Sequence, residues 1–229
     1  MRLDKFLSDA TELTRSQAKK ALNQGLVTVA GEVVKKGNMI LEEQEVRLDG
    51  ELVQLRPPVY VMLHKPEGFV SSNVDELLPS VLQLLPYELQ RDVHIAGRLD
   101  ADTTGLLLIT DDGQWSHKIT SPKKACGKRY RVELASPVDD SLTERFAEGI
   151  MLNGEKKPTL PAVLEVLAPY EVLLTIQEGK YHQVKRMFAA SDNRVVTLHR
   201  ESVGEIELDP DLSPGEWRHL TQQEIESLG

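Results

Sequence analysis

The sequence predicts an α+β protein with two domains: a small one over residues 1–57, and a larger one over residues 58–229 built on a large, mostly antiparallel mixed sheet with flanking helices. At 229 residues the chain is long enough for two domains. Pro57 and Pro58 interrupt it early, and consecutive prolines favour an extended linker. Beyond this linker, apolar stretches typical of strands outnumber helical patterns and do not alternate strictly with them.

In the first domain, two helices are expected to precede a short β unit. Apolar residues recur at helical spacing in RLDKFLSDA. Thr14 begins a second helix, with Gln17 three residues later in a capping-box pattern and Gly25 as the C-terminal stop. The segment LVTVAGEVV alternates around Ala30 and Gly31, which is typical of a tight hairpin, and EEQEVRLDG continues the strand pattern.

In the larger domain, strands are predicted where apolar residues cluster, in YVMLHKP, GLLLITDDG, RYRVELAS, AVLEVLA, YEVLLTIQEG and RVVTLHRESVG. Helices are expected in part of SVLQLLPYELQ, in SLTERFAEGI and in HQVKRMFAAS. The segment PGEWRHLTQQEIESLG is interpreted as an edge segment followed by a short helix. Asp112 and Gly113 are interpreted as a hairpin turn, because Asp-Gly is a favoured turn sequence.

The composition indicates a soluble cytoplasmic protein without a membrane partner. No window approaches the roughly 20 apolar residues of a membrane-spanning helix. The segment MRLDKFLSDA lacks the apolar core of a secretion signal. Cys126 is the single cysteine, which excludes an internal disulfide and fits a reducing compartment. Nothing signals a large exposed apolar face, so a monomer is expected.

The net charge of −9 argues against a nucleic-acid partner, since phosphate contacts need Lys and Arg. The basic residues are nevertheless clustered. Residues 1–37 hold seven basic and four acidic side chains, residues 115–131 hold six basic and no acidic ones, and residues 178–200 hold five basic and two acidic ones. A molecule polarised in this way can dock on RNA by its basic side. Solvated surface charge that happens to cluster is the alternative for each stretch.

The stretch HIAGRLDADTTGLLLITDDG concentrates residues suited to chemistry. Gly97 and Gly105 bracket a polar loop containing Asp100, and the apolar run LLLIT behind it is predicted to be a buried strand. A carboxylate in a dry pocket must stay ionised to act as a nucleophile, although burial disfavours the charged form. An adjacent buried cation meets this requirement, and Arg98 in the same loop could supply it. Lys185 and Arg186 are further candidates, and they rest on the motif resemblance given below.

A second interpretation of this loop is phosphatase chemistry. Residues 100–104 fit the D-x-D-x-T motif of haloacid-dehalogenase-type phosphatases, in which magnesium lies between two aspartates. That motif ends a strand, whereas here Gly97 and Arg98 precede it and the apolar strand follows. No later acidic pair for magnesium is evident, and the histidines lack ligand spacing, so no metal site is expected. With Asp100 as the lone nucleophile, Asp102 is expected to cap the loop.

About the first 55 residues resemble the S4 RNA-binding fold. The similarity lies in RLDKFL, in SQAKKA and in GLVTVAGE. The resemblance implies a surface that docks on structured RNA, and the phosphate contacts are then expected from five basic residues. These residues are Arg2, Lys5, Arg15, Lys19 and Lys20. A small α/β cap without a ligand is the alternative.

Four ordered motifs across residues 60–190 resemble those of pseudouridine synthases. They are YVMLHKPEGFVSS, GRLDADTTGLL, KRYRVEL and LTIQEGKYHQVKRMF. The resemblance implies that Asp100 is the nucleophile, that Tyr130 packs against a flipped base, that Lys185 pairs with the nucleophile, and that Ile176 is its apolar neighbour. It also implies isomerisation of uridine in RNA with neither cofactor nor metal.

Resemblance over the whole chain extends to synthases with an S4-like head that act on ribosomal RNA. It implies 16S RNA or a small-subunit assembly particle as the partner, with U516 as the expected target. A base must first be extruded, which requires an aromatic face and basic groups. The basic groups expected to contact RNA there are Arg98, Lys123, Lys124 and Arg186. Trp115 is expected in the core, and His182 is interpreted as structural or RNA-facing.

Two alternatives remain open on the sequence besides the phosphatase. One is a synthase that acts on large-subunit ribosomal RNA. The other is an S4-type RNA-binding protein or ribosome assembly factor in which catalysis is not essential. The presence of Asp100, Tyr130 and Lys185 together argues against the second, because a pure RNA-binding protein needs no carboxylate–cation pair.

Overall fold

The computed structural model describes residues 1–74, 77–90 and 92–228, apart from the side chain of Lys123. The expected RNA contact of Lys123 therefore lies outside the described residues. The chain divides into two compact units, Met1–Pro57 and Pro58–Gly229. Across the described ranges, no helix is both long and apolar enough to cross a membrane.

The unit Met1–Pro57 combines two helices with a four-stranded antiparallel sheet in the order β2-β1-β3-β4. Its elements are α1 (Leu3–Ala10), α2 (Arg15–Asn23), β1 (Val27–Val29), β2 (Glu32–Val33), β3 (Val46–Leu48) and β4 (Glu51–Val53). The predicted capping box at Thr14 and Gln17 is confirmed. So is the hairpin between β1 and β2, where Ala30 and Gly31 have φ of 50° and 85°, as its tight turn requires.

The strands of the unit Pro58–Gly229 are β5 (Tyr60–Lys65), β6 (His94–Ala96), β7 (Thr104–Thr110), β8 (Lys128–Leu134), β9 (Val163–Ala168), β10 (Glu171–Ile176), β11 (Val195–Val203), β12 (Ile206–Glu207) and β13 (Trp217–His219). Within the described residues they form a nine-stranded sheet with the main order β13-β5-β7-β11-β8-β10-β9. Its α-helices are α3 (Gly113–Thr120), α4 (Leu142–Glu148), α5 (Gln183–Ala189) and α6 (Gln222–Ser227). Among the described strands, β7 and β11 form the one parallel pair, so the predicted mostly antiparallel mixed sheet is confirmed.

Strand β7 is buried on both faces, which explains its continuous apolar sequence. Leu107 and Ile109 pack into the larger core, whereas Leu106 and Leu108 pack into a second core on the other face. Trp115 belongs to that second core and donates from Nε1 to the carbonyl of residue 225 at 3.0 Å. The interpretation of Trp115 as a core residue is therefore confirmed.

The hairpin turn predicted at Asp112 and Gly113 is wrong, because these residues begin α3. The Asp112 Oδ1 atom accepts hydrogen bonds from the backbone N–H groups of Gln114 at 2.9 Å and Trp115 at 3.1 Å. A carboxylate at this position satisfies N–H groups that the first helical turn leaves without partners. The helix GQWSHKIT was not predicted, because a turn was expected where this helix begins.

The helix expected in part of SVLQLLPYELQ is also different in the structure. The segment forms two short 3₁₀ turns, Val81–Leu84 and Tyr87–Leu89. Pro86 lies between them, and proline lacks the N–H group that a continuous helix would need there.

The fold brings the sequence motifs to one end of the sheet. Residues 97–103, here called the Asp100 loop, connect β6 to β7. Since β7 and β11 are parallel and β11 pairs with β8, the Asp100 loop lies near Tyr130 of β8. Ile176 ends β10, and α5 follows after a short connection and carries Lys185.

Candidate active site

The side chains of Asp100 and Lys185 form an ion pair. The Lys185 Nζ atom lies 2.9 Å from Asp100 Oδ2 and 2.6 Å from Asp102 Oδ1. Partial burial alone would lower the pKa of Lys185, but its hydrogen bonds to Asp102 and Asp100, together with the charges of these carboxylates, raise the pKa above its usual value. The lysine is therefore a cation at neutral pH, and its charge lies against the Asp100 side chain.

Two expectations about this pair need correction. The cation was expected to be buried, yet the side chains of Lys185 and Asp100 are 27% and 30% exposed. Asp102 was expected to cap the loop, but it shares Lys185 instead and is 62% exposed. Burial alone would raise the pKa of Asp102, but the hydrogen bond from Lys185 and the nearby positive charges together lower it below its usual value.

The two other candidates for the cationic partner lie elsewhere. Arg186 binds Glu155 at 3.1 Å and the backbone carbonyls of Tyr181 and Asn153. Arg98 is exposed at the rim of the pocket and forms no ion pair within the described part of the chain. Of the three candidates, Lys185 is the one in contact with Asp100.

A small pocket opens beside the carboxylate. Its lining includes Arg98, Asp100, Tyr130, Ile176 and Lys185, which the sequence had singled out. Tyr130 and Ile176 are buried, so the lining combines an aromatic and an aliphatic side chain with the charged pair. A pocket of this composition can offer apolar surface to a planar base and charged groups beside it.

His182 also enters this site, which the sequence interpretation did not predict. Its Nε2 atom lies 3.4 Å from Asp100 Oδ1, the oxygen that Lys185 does not contact. Its backbone is left-handed, with φ of 47°, immediately before α5. A left-handed conformation is uncommon for a residue other than glycine, and at functional sites it often holds a side chain in place.

The buried side chain of Lys65 holds the Asp100 loop through hydrogen bonds to backbone carbonyls. It is fully buried, and its Nζ atom donates to the carbonyls of Pro66 at 3.0 Å, Ala101 at 3.2 Å and Thr103 at 2.8 Å. Burial lowers the pKa of Lys65 to about 8. The sequence contained a signal for this role, since Lys65 ends an otherwise apolar strand.

Arg200 supports the other end of the loop, and the sequence interpretation did not predict this role. It is 1% exposed and donates to the carbonyls of Leu106 and Gly97, both at 2.8 Å. Its Nη1 atom lies 3.5 Å from the Tyr130 hydroxyl. At Gly105 a Cβ atom would lie 2.3 Å from the Arg200 carbonyl oxygen, so only glycine allows β7 to approach β11 here.

The five residues of Met1–Pro57 that were expected to contact phosphates fall into two groups. Arg2 binds Asp4 through two hydrogen bonds of 3.0 and 2.7 Å, and Lys5 pairs with Asp9 at 2.5 Å. The other group is exposed and forms no ion pair among the residues described. It comprises Arg15, Lys19 and Lys20.

The basic stretch 115–131 is less available to a ligand than its charge suggests. Lys128 is buried, which lowers its pKa, and it donates to the Cys126 carbonyl at 2.9 Å. Arg131 binds Glu171 at 2.6 Å and Glu201 at 2.7 Å. Lys124 remains exposed. Of the basic residues in this stretch, Lys128 and Arg131 are therefore already bound within the protein, whereas Lys124 remains available to RNA.

Among the described residues, no group of three or more His, Cys, Asp or Glu side chains is arranged to hold a metal ion. In the D-x-D-x-T stretch, Asp100 and Asp102 both bind the lysine ammonium group.

Comparisons with known proteins give consistent results. The sequence model of the RNA pseudouridylate synthase family matches residues 59–190, and that of the S4 domain matches residues 1–46. Proteins named ribosomal small subunit pseudouridine synthase A are similar over the full chain. The one from Haemophilus influenzae is 54% identical over 100% of this chain and 99% of its own. The one from Escherichia coli is 53% identical over 100% of both. A crystal structure of a pseudouridylate synthase, 53% identical over 100% of both chains, superposes with a TM-score of 0.74.

Proposed function

Because this chain belongs to the RNA pseudouridylate synthase family and carries an S4 domain, we propose that it converts one uridine of 16S ribosomal RNA to pseudouridine, with Asp100 as the catalytic carboxylate. The observation that carries the proposal is the Asp100–Lys185 pair at the mouth of a pocket lined by Tyr130 and Ile176. Support for the small-subunit substrate comes from the names of the full-length relatives. U516 is the expected position.

The reaction rearranges bonds within one nucleotide. The N1–C1′ bond breaks, the uracil turns, and a C5–C1′ bond forms. The proton on C5 is lost and N1 gains one, so atoms and electrons balance without a redox partner. In the proposed mechanism Asp100 attacks either C1′ or C6, or removes a sugar proton, and all three routes need an ionised carboxylate. Lys185 places a positive charge 2.9 Å from this carboxylate, which favours its charged form.

The apolar wall of the pocket has a separate task in this mechanism. Tyr130 offers a ring face to the extruded uracil, and Ile176 excludes water beside it. Extrusion of a base from structured RNA costs a few kcal/mol, and stacking on the pocket wall offsets part of this cost. Arg200 lies within 3.5 Å of the Tyr130 hydroxyl and helps to fix the ring.

Docking on the RNA is assigned to the S4 domain. Arg15, Lys19 and Lys20 are exposed and free of ion pairs within that described unit, so they are available for phosphates. Arg2 and Lys5 already bind neighbouring carboxylates, and we assign them a smaller contribution. The partner is then naked 16S RNA or a small-subunit assembly particle, in the cytoplasm.

The proposal is tested with 16S and 23S RNA, naked and in assembly particles, carrying tritium at C5 of uracil. Release of tritium to water from small-subunit RNA is expected, and carbodiimide mapping should locate one pseudouridine. Asp100→Asn should abolish release, while the matched variant Asp102→Asn should retain it. Release from large-subunit RNA alone would contradict the proposed substrate. RNA binding without release from any RNA would favour an assembly factor.

A further inference from the structure

An exposed pair of stacked aromatic rings lies next to the catalytic carboxylate. The rings of Tyr181 and His182 are 3.7 Å apart between centroids and 22° from parallel. His182 covers one face of the tyrosine, and Tyr181 is still 77% exposed. The other edge of the pair contacts Asp100, since His182 Nε2 lies 3.4 Å from its Oδ1 atom.

The backbone that carries this pair is held in place. The Tyr181 carbonyl accepts a hydrogen bond of 3.0 Å from Arg186, which is itself bound to Glu155 and to the Asn153 carbonyl. His182 has a left-handed backbone. A fixed backbone reduces the entropy that a ligand must remove when it stacks on the ring.

The other exposed tyrosines of the same unit lack these features. Tyr87 is 83% exposed and Tyr170 is 52% exposed, but neither stacks on another ring among the described residues. Tyr170 precedes β10, and the pocket residue Ile176 ends that strand. The combination of exposure, ring stacking and proximity to Asp100 is thus particular to Tyr181.

We propose that the Tyr181–His182 pair is a stacking platform for a nucleobase that flanks the target uridine in the RNA chain. The inference rests on the proposed function, because it requires a uridine bound at Asp100. The target base itself is assigned to the buried ring of Tyr130, whereas the platform faces solvent. Bases of single-stranded RNA stack on exposed aromatic rings, and a flanking base would continue the Tyr–His stack on the open face of Tyr181.

The chemistry of the platform also limits what it recognises. Stacking accepts any base, since every base has a π face, so the platform contributes affinity and register rather than strict sequence recognition. Tyr181 therefore acts in positioning the RNA, and the reacting atoms are left to Asp100. A residue of this kind changes KM or Kd much more than the rate of the bound complex.

The test compares Tyr181→Ala, Tyr181→Leu and Tyr181→Phe in the full chain, with Tyr170→Ala as the matched control. The substrate is a 16S RNA fragment with 2-aminopurine placed in turn on each side of the modified uridine. For Tyr181→Ala and Tyr181→Leu we expect KM to rise about tenfold, with the single-turnover rate at saturation within about twofold of wild type. In the wild-type complex, stacking on Tyr181 should quench the fluorescence of the flanking 2-aminopurine, and this quenching should be lost in both variants. Tyr181→Phe and Tyr170→Ala should behave like wild type.

Three outcomes would overturn the platform. One is unchanged KM and quenching in Tyr181→Ala. A second is full retention of binding by Tyr181→Leu, which would indicate an apolar contact rather than stacking. The third is a lower saturated rate with unchanged KM, which would mean that Tyr181 acts through His182 on Asp100. If wild-type protein forms no pseudouridine, the proposed function fails as well; if it does, these outcomes concern the platform alone.

Discussion

The two sides of the Asp100 loop use positive charge in different ways. On the inner side, Lys65 and Arg200 are buried and donate to backbone carbonyls, including those of Gly97, Ala101 and Thr103. On the outer side, Lys185 is partly exposed and binds carboxylates. The inner cations fix where the loop runs, and the outer cation neutralises the carboxylates that the loop presents. Removal of an inner cation should therefore affect stability first, and removal of the outer one should affect activity.

The largest effect is expected on the outer side. Lys185→Met removes the charge that stabilises ionised Asp100, and we expect the single-turnover rate of pseudouridine formation to fall on the order of a hundredfold or more. Lys185→Arg should recover part of the rate, because a cation is restored. A rate within threefold of wild type for Lys185→Met would show that the ion pair is not needed for the reaction.

The inner side should respond in stability. Lys65→Ala leaves a cavity and removes hydrogen bonds to three carbonyls, of which that of Ala101 still accepts from the Gly68 N–H group, and we expect the free energy of unfolding to fall by about 2 to 4 kcal/mol. The matched variant Lys185→Ala should lose about 1 kcal/mol or less, since its ion pairs are partly exposed. Urea unfolding measures the free energy of unfolding of both variants. Equal losses of stability in the two variants would remove the distinction between the two sides.

The pH dependence of stability provides a finer test of Lys65. Its pKa is about 8 in the folded protein, against an ordinary value of 10.5. Between these values the folded state releases the proton before the unfolded state does, so stability rises with pH in this window. Below pH 8 the full cost of burying the charge is present. We expect a rise of about 1 to 3 kcal/mol between pH 8 and pH 10 that Lys65→Met lacks. Identical profiles for the two proteins would contradict this.

The smallest effect is expected at Asp102. It is the more exposed of the two carboxylates on Lys185, and an exposed ion pair contributes about 1 kcal/mol or less. Asp102→Asn should therefore keep the rate of pseudouridine formation within about fivefold of wild type. A loss as large as that of Lys185→Met would mean that both carboxylates act in the chemistry.

The same contrast explains what could be predicted from the sequence. Asp100, Tyr130, Ile176 and Lys185 were singled out by motifs, and the structure brings all four to one pocket. The roles of Lys65 and Arg200 were not predicted from the sequence. Each donates to backbone carbonyls, which every residue has, so no particular partner residue in the sequence indicates the contact. Their only signal is a charged residue at an inward position of a strand.

Local turn chemistry shows a second limit of sequence reasoning. Asp-Gly occurs twice, at residues 49–50 and 112–113. Asp49 and Gly50 have φ of 50° and 83° and connect β3 to β4 in a hairpin. Asp112 has φ of −82° and caps α3. The dipeptide allows both outcomes, and the element on its C-terminal side decides between them: a strand that pairs back in one case, and a helix with a buried tryptophan in the other.

The most direct test of the central claim is a paired measurement on Asp100→Asn. Tritium release from C5-labelled 16S RNA gives the rate, and urea unfolding gives the stability. We expect a rate lower by roughly a thousandfold or more, with stability within about 1 kcal/mol of wild type, because Asp100 serves the reaction and its loop is held by Lys65 and Arg200. Retained tritium release by a folded Asp100→Asn protein would contradict the assignment of Asp100 as the catalytic carboxylate.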